Sequence, residues 1–395
     1  MPSLPISYLI FIAMSSPIAI NILLPVLPHI AKQLDVDISL VQLSYSLYLC
    51  SLAVGQLLVG GIVNHFGYRK TLIIGLASLT LGSAIGGGFG SIEGLLIGRI
   101  MQGLGGAIAI SIARALLVDG VGKEKASQKM GYIIMAIALS QTIAPLIGSF
   151  INSQLGWQSI FVVSLLQGGV LFVFTLKYMP DQTQQNYRPS FKENLILYRQ
   201  LLQDHDFRTY AMTNTLVAIC FYIFVSSSPY ITYNFEGGTH AYGYWFMSIS
   251  IAFMVGGYLS TQVNTHQPLD NTIMLGNGIS ILGALLLLVG QILVGQQLLE
   301  SSYATLFLPM CLITFGRGIS QPSNQTAAIS TITTQSSMAA GLMGFLQLLL
   351  GAIFSQLIPL IVTNTPILVF ILILICMCLA TWVHTRHWAA MRKQV

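Results

Sequence analysis

Long apolar runs, separated by short polar connections, recur along the whole chain. A helix needs about 20 apolar residues to cross the hydrocarbon core of a bilayer. Runs of that length fall at 6–28, 40–63, 71–90, 94–118, 130–151, 158–179, 209–231, 243–263, 272–295, 303–325, 338–361 and 366–385. Because a backbone in lipid must satisfy its own hydrogen bonds, each run is expected to be a helix. The first run is expected to be a retained span. The pattern predicts an all-α integral membrane protein with twelve transmembrane helices.

Composition strengthens this prediction. Of the 395 residues, 54% are apolar and only 7% are charged, whereas a soluble chain carries about 25% charged residues. So small a share of charged residues excludes a soluble fold of this size. The five cysteines all lie inside apolar runs without a framework spacing, so neither a disulfide nor a metal site is predicted from them.

The basic residues indicate the orientation of the helices. If both termini are cytoplasmic, the inner connections and the C-terminal tail hold thirteen lysines and arginines, and the outer connections hold only Lys32. Cytoplasmic loops of membrane proteins carry such an excess of positive charge. The orientation of the helices in an inner membrane therefore explains the net charge of +5, and no nucleic-acid partner is needed to explain it.

One polar connection is unusually long. It divides the chain into a bundle of six helices over residues 1–180, a cytoplasmic linker over 181–207 and a second six-helix bundle over 208–395. Within the linker, apolar side chains at Phe191, Leu195, Tyr198 and Leu202 recur at helical spacing. This predicts an amphipathic helix on the membrane surface. It is interpreted as a passive connection between the bundles, with partner binding as the alternative.

Patterns typical of enzymes are missing from the sequence. It has no phosphate-binding Gly-x-x-x-x-Gly-Lys-Ser/Thr loop and no nucleophile–base set. His384 and His387 lie three residues apart but have no third ligand nearby in sequence, so no metal site or cofactor is predicted. A secondary transporter, a channel or a membrane-embedded receptor remains.

Several motifs narrow this choice. Residues 60–70 read GGIVNHFGYRK, span four contains Arg99, Gln102 and Gly103 and continues to Asp119, and span five contains Pro145 and Gly148 before a Gly156-Trp157 corner. Together these motifs resemble the major facilitator superfamily, and within it the Bcr/CflA drug-resistance branch. The resemblance implies two six-helix bundles with a central cavity, and export of small molecules by alternating access in exchange for protons. The protein is expected to act as a monomer.

The candidate site residues form four sets. The substrate cavity is assigned to Asn21, Arg99, Gln102, Arg114, Tyr222, Tyr230, Arg317, Gln321, Asn324 and Gln347. A cytoplasmic latch is assigned to Gly60, Asn64, Gly67, Arg69, Lys70 and Asp119. Pro145 and Gly148 form the antiporter motif, and Glu93 and Asp119 are the candidates for proton coupling.

The sequence departs from the branch at functionally important positions. Asn64 and His65 replace the usual Asp and Arg of the loop, Asn21 replaces an Asp in span one, and Arg317 replaces a small residue in span ten. Because the spans then hold three arginines and no central acid, neutral or anionic substrates are expected. For Arg99 and Arg317 the alternative is that they extend to the membrane surface. The alternative functions are a metabolite or siderophore carrier, which could import, and a receptor without turnover.

Overall fold

The computed structural model describes residues 5–121, 123–179, 191–233, 235, 238–264, 267–330, 336–362 and 366–392. Within these ranges the regular structure is helical, and no strand occurs. Twelve helical segments of the described chain are long and apolar enough to cross a membrane. The predicted all-α fold with twelve membrane helices is therefore confirmed. The chain forms two compact units, Met1–Phe191 and Lys192–Val395. Along the chain, the boundary between them falls inside the segment predicted to be a linker.

The first unit contains six spans. Its helices are α1 (Ile6–Asn21), α2 (Leu27–Leu34), α3 (Ile38–Gly88), α4 (Ile92–Val121), α5 (Lys123–Leu155) and α6 (Ile160–Tyr178). The first span is made of α1 and α2, joined by a short 3₁₀ turn at Leu24–Val26. Helix α3 supplies two spans, because Gly67 interrupts it with a φ of 76° and a ψ of 168°. Only glycine adopts this backbone conformation without a steric penalty.

The second unit repeats the six-span arrangement after one surface helix. Its helices are α7 (Phe191–Gln203), α8 (His205–Ile231), α9 (Gly238–Val263), α10 (Leu269–Gly295), α11 (Tyr303–Ser330), α12 (Ser336–Val362) and α13 (Ile367–Arg392). Helix α8 is capped by the side chain of Asp204, which accepts a 2.7 Å hydrogen bond from the backbone N–H of Phe207. Such a cap satisfies one of the free N–H groups in the first turn.

Helix α7 packs on its own unit, although not with the whole face that the sequence predicts. Leu201 is buried and Tyr198 is partly buried against a core that includes Phe207 and Ala328. Leu202, predicted on the apolar face, is 42% exposed. The contact uses the i, i+3 pair Tyr198 and Leu201, and Leu202 lies beside it on the helix. The side chains of Phe191 and Leu195 lie outside the described residues. Burial raises the pKa of Tyr198.

Paired glycines allow the third and fourth spans of each unit to approach closely. In the first unit a Cβ atom on Gly98 would lie 2.6 Å from the carbonyl oxygen of Gly82. In the second unit a Cβ atom on Gly276 would lie 2.5 Å from the carbonyl oxygen of Gly316. Close backbone packing at small residues is a common basis of helix association in membranes. Each pair lies directly beside a buried arginine, Arg99 in α4 or Arg317 in α11.

Candidate functional site

The first span is broken where the sequence places a candidate cavity residue. Helix α1 ends at Asn21, and Pro25 follows in the 3₁₀ turn. Proline has no N–H group to donate to the turn before it, which favours the end of the helix here. Asn21 is buried, and its Nδ2 atom donates a 2.8 Å hydrogen bond to the carbonyl oxygen of Pro17. The last carbonyl groups of α1 have no partner from a continuing helix.

Arg99 reaches this break from α4. It is only 1% exposed, and its Nη1 atom donates hydrogen bonds of 2.7 Å to the carbonyl oxygen of Ala19 and 2.8 Å to Oε1 of Gln102. The guanidinium carbon lies 4.3 Å from the centroid of the Tyr48 ring, which is fully buried. Arg99 is therefore enclosed within the first unit and does not extend to the surface.

The charge of Arg99 is stabilised by neutral groups. Its Nε and Nη2 atoms have no hydrogen-bond partner among the described residues. No described carboxylate lies within ion-pair distance of it. A cation inside a membrane helix costs about 2.5–3.5 kcal/mol on insertion scales. The Tyr48 ring and the Ala19 carbonyl oxygen offset part of this energy, because both present negative charge density to the guanidinium.

Gln102 continues the polar contacts across the unit. Its Nε2 atom donates a 2.8 Å hydrogen bond to Oγ of Ser83 in α3. The next residues on the same face of α4, Gly103 and Gly106, pack against α3 and α1, where added Cβ atoms would meet the backbone of Tyr48 and the side chain of Ser16. The part of α4 beside Arg99 and Gln102 is thus covered by its neighbouring helices. Arg114, farther along α4, has an exposed side chain.

The Pro145 and Gly148 motif forms a second close contact with the broken span. A Cβ atom on Gly148 would overlap the carbonyl oxygen of Ile22, directly after the end of α1. Ser149 Oγ donates a 2.8 Å hydrogen bond to the carbonyl oxygen of Pro145 within α5. Proline removes one backbone hydrogen bond from a helix. The motif therefore places a weakened part of α5 against the break in the first span.

Arg317 occupies a comparable place in the second unit. Its Nε atom donates a 3.0 Å hydrogen bond to Oε1 of Gln321, one turn later in α11. The guanidinium carbon lies 4.4 Å from the centroid of the Phe221 ring and 5.1 Å from that of Phe253. Arg317 is 8% exposed and does not extend to the surface either.

Four other candidates lie in the second unit, and two of them are in contact with each other. The Tyr222 hydroxyl forms a hydrogen bond with Gln347 in α12, whose Oε1 atom also accepts a 3.3 Å bond from Nδ2 of Asn214. This places Tyr222 and Gln347 together. Asn324 is fully buried, and its Nδ2 atom donates to the carbonyl oxygen of Ser320 in its own helix. Tyr230, near the end of α8, is partly buried.

The two units thus contain the same local arrangement. In each, a glycine precedes a buried arginine, a glutamine three or four residues later accepts a hydrogen bond from that arginine, and an aromatic ring lies under the guanidinium. Arginine suits this arrangement, because its planar group donates in several directions and stacks on rings. The arginines are the residues around which the polar contacts of both units are organised.

The predicted latch is described only in part. Gly67 forms the turn between spans two and three, and Nη2 of Arg69 donates a 2.8 Å hydrogen bond to the carbonyl oxygen of Leu176 near the end of α6. No neighbouring atom would lie within 4 Å of a Cβ atom added to Gly60, and Lys70 is exposed. The side chains of Asn64 and Asp119 lie outside the described residues.

Of the two candidates for proton coupling, Glu93 is the one whose side chain is described. It is exposed and lies in the first turn of α4. A carboxylate is favourable there, because the free N–H groups of a helix N-terminus carry partial positive charge.

Sequence reasoning missed partners that lie far from the candidates along the chain. Tyr48, Asn214, Phe221 and Phe253 contact the candidate residues but carry no motif. It also missed two His–Asp pairs in the second unit, His384 with Asp270 and His387 with Asp206. The only available signal was the presence of ionisable residues at the ends of apolar spans.

Twelve spans in two units, each with a buried arginine inside the membrane-spanning region, define a polytopic membrane protein. The sequence profile of the Major Facilitator Superfamily matches residues 9–355. The chain belongs to this superfamily, and it is a transporter and not an enzyme.

Named relatives and a solved structure agree with this assignment. The chain is 25% identical over 372 residues to the multidrug resistance protein MdtL of Vibrio parahaemolyticus, covering 91% of this chain and 89% of that protein. It is 22% identical over 350 residues to a bicyclomycin resistance protein homolog of Haemophilus influenzae, covering 88% of this chain and 86% of that protein. The crystal structure of a D-xylose–proton symporter superposes with a TM-score of 0.75 at 14% identity, covering 97% of this chain and 96% of the symporter. This last likeness concerns the fold.

Proposed function

We propose that the chain exports small neutral or anionic molecules across the inner membrane in exchange for protons, by alternating access, with both termini in the cytoplasm. Export is supported by relatives named for drug resistance, although at low identity. The cytoplasmic termini are supported by the thirteen-to-one distribution of basic residues in the predicted loops. Because both six-span units lie in one chain, a monomer supplies everything that alternating access needs.

The substrate class is inferred from the environment of Arg99. The residue is buried, its contacts are a ring, a carbonyl oxygen and an amide oxygen, and no described carboxylate neutralises it. In a medium of low dielectric constant, a charge without a counter-charge acts over a longer distance than in water. The first unit therefore favours anions over cations along the substrate route, and a neutral molecule is not repelled.

Within this proposal the other candidates keep their predicted roles. Tyr222 and Gln347 form a hydrogen-bonded pair that suits recognition of a polar substrate, and Arg317 with Gln321 gives the second unit its own donor group. Glu93 and Asp119 remain the proposed sites of proton coupling. The proposed latch remains the set Gly60, Asn64, Gly67, Arg69, Lys70 and Asp119.

Transport in proteoliposomes tests the proposal. The purified chain is reconstituted with an imposed pH gradient and offered a matched pair of aromatic drugs, one bearing a carboxylate and one a quaternary ammonium group. We expect the carboxylate compound to move against its gradient in the direction opposite to protons, and to exchange in counterflow without a gradient. Binding without counterflow would show a receptor, movement with protons would show an importer, and preference for the ammonium compound would contradict the substrate class.

A further inference from the structure

We infer that His205, Asp206 and His387 form a binding site for a divalent transition-metal ion such as Zn²⁺, at the end of the second unit where α8 begins and α13 ends. One candidate ligand atom from each of these residues lies within 4.8 Å of the other two. The site lies outside the residues assigned to substrate, latch and proton coupling.

The spacing of the ligand atoms fits a metal ion better than a hydrogen bond. Asp206 Oδ1 lies 3.6 Å from Nδ1 of His205 and 3.7 Å from Nε2 of His387. Both distances exceed the range of a good N–H···O bond, which is about 2.7–3.2 Å. In a tetrahedral site with bonds of about 2.0–2.2 Å, neighbouring ligand atoms lie about 3.3–3.6 Å apart. The two separations that involve Asp206 are therefore close to those between neighbouring ligands of a bound ion.

His387 provides the second observation that indicates a ligand. Its side chain is only 3% exposed, and its Nε2 atom has no hydrogen-bond partner among the described residues. A buried polar atom without a partner is destabilising and is rare in folded proteins. Coordination of a metal would satisfy this nitrogen. His205 is 65% exposed, so its side chain can adjust to close the widest of the three separations.

The chemistry of the donors selects the class of ion. Two imidazole nitrogens and one carboxylate oxygen suit Zn²⁺ and its neighbours in the first transition series, whereas Mg²⁺ and Ca²⁺ prefer oxygen ligands. Three protein ligands leave a fourth position open. Next to the site is a cavity of about 300 Å³ that His205 and His387 help to line, which gives room for a water molecule or a small anion in that position.

Replacing the neighbouring arginines distinguishes a metal site from an anion pocket. Arg208 and Arg386 also line the cavity, and the Arg386 guanidinium carbon lies 4.2 Å from the centroid of the Trp382 ring. For a metal ion these two cations are unfavourable neighbours, so their removal should tighten binding. For a phosphate or a lipid headgroup they would be the main attraction, so their removal should weaken binding.

Metal titration of the full-length chain tests the inference. The protein is purified in detergent with an affinity tag free of histidine, and Zn²⁺ or Mg²⁺ is added while calorimetry and thermal unfolding are recorded. We expect Zn²⁺ to bind with a stoichiometry near one and to raise the unfolding midpoint, because a ligand that binds only the native state stabilises it. Mg²⁺ should do neither. His387→Ala should weaken Zn²⁺ binding by more than the roughly ten- to hundredfold loss typical of outer-sphere changes, and Asp206→Asn should weaken it as well.

Two further variants complete the test. His65→Ala removes an exposed histidine of the first unit and should leave Zn²⁺ binding unchanged. Arg386→Gln should tighten it, because it removes an unfavourable neighbouring charge. Absence of Zn²⁺ binding by the parent chain, or equal binding by His387→Ala, would overturn the inference. It would also be overturned if inorganic phosphate, and not Zn²⁺, raised the unfolding midpoint and Arg386→Gln abolished that effect.

Discussion

The Nη1 atom of Arg99 in α4 donates a 2.7 Å hydrogen bond to the carbonyl oxygen of Ala19 in the last turn of α1. The bond joins the fourth span to the point where the first span is broken. Gly148 of α5 contacts the same region from another side, at Ile22. A small movement at the break of span one must therefore change contacts in spans four and five together. This makes Arg99 the first residue to test.

Replacing Arg99 by lysine should impair transport more than folding. Lysine keeps the charge, but its single ammonium group does not reproduce the flat stacking on Tyr48 together with bonds to Ala19 and Gln102. Loss of one hydrogen bond to a charged group corresponds to about 1.5–3 kcal/mol. We expect the transport rate in proteoliposomes to fall by about tenfold or more, and the unfolding temperature to fall by only a few degrees, because this energy is small against the unfolding enthalpy of a chain of this length. Arg199→Lys, on the exposed side of α7, is the control, and equal rates in the two variants would contradict the role of Arg99.

Two glycines in α10 should respond very differently to the same substitution. A Cβ atom on Gly276 would lie 2.5 Å from the carbonyl oxygen of Gly316, whereas nothing lies within 4 Å of a Cβ atom on Gly278. Gly276→Val should therefore destabilise the second unit by about 1–3 kcal/mol or more, as over-packing does. Gly278→Val should be much milder. Thermal unfolding of both purified variants measures the difference, and similar midpoints would show that the helices can separate at this contact at little cost.

Removing the charge of Arg317 should separate two classes of substrate. Arg317→Ala removes a donor that can form a charge-assisted bond to an anion, which is about twice as strong as a neutral one. We expect the apparent affinity for a carboxylate substrate to fall by about tenfold, and the affinity for a neutral analogue to change by less. Transport assays with the paired substrates measure this. If cations are preferred and Arg317→Ala changes nothing, the arginines do not set substrate charge.

The carboxylates at the helix ends should carry proton coupling. Glu93 lies in the first turn of α4 and Asp119 near its other end. The double variant Glu93→Gln, Asp119→Asn should lose transport driven by a pH gradient and retain counterflow, which needs no proton movement. Asp35→Asn combined with Glu300→Gln, two exposed acids outside this set, is the control. Full gradient-driven transport by the first variant would exclude both carboxylates.

Topology can be tested independently of transport. A reporter that is active only in the cytoplasm, fused after Val395, should be active, and the same reporter inserted after Glu236 should be inactive. The expectation follows from the thirteen-to-one distribution of basic residues. The opposite pair of results would reverse the orientation and, with it, the proposed direction of export.

The sequence by itself determined the fold class and the number of spans. Helical runs in a membrane are set by length and apolar composition, because an unpaired backbone in lipid is too unfavourable. The sequence also indicated the helical spacing of the α7 segment, but it did not predict every residue that this helix buries. Leu201 is buried in place of Leu202, since the packed face depends on the shape of the unit that receives it. The sequence likewise marked Arg99 and Arg317 as exceptional, because charge is rare inside apolar runs.

Only the tertiary structure decided what surrounds those residues. The partners of Arg99 are a carbonyl oxygen of α1 and a ring of α3, groups that almost every stretch of sequence contains. The same holds for the cluster of His205, Asp206 and His387. The sequence shows one histidine pair, His384 and His387, whereas the structure brings His387 together with His205 and Asp206, which lie about 180 residues earlier in the chain. Spacing along a chain predicts contacts within one helix, whereas contacts between helices depend on packing that local pattern does not contain.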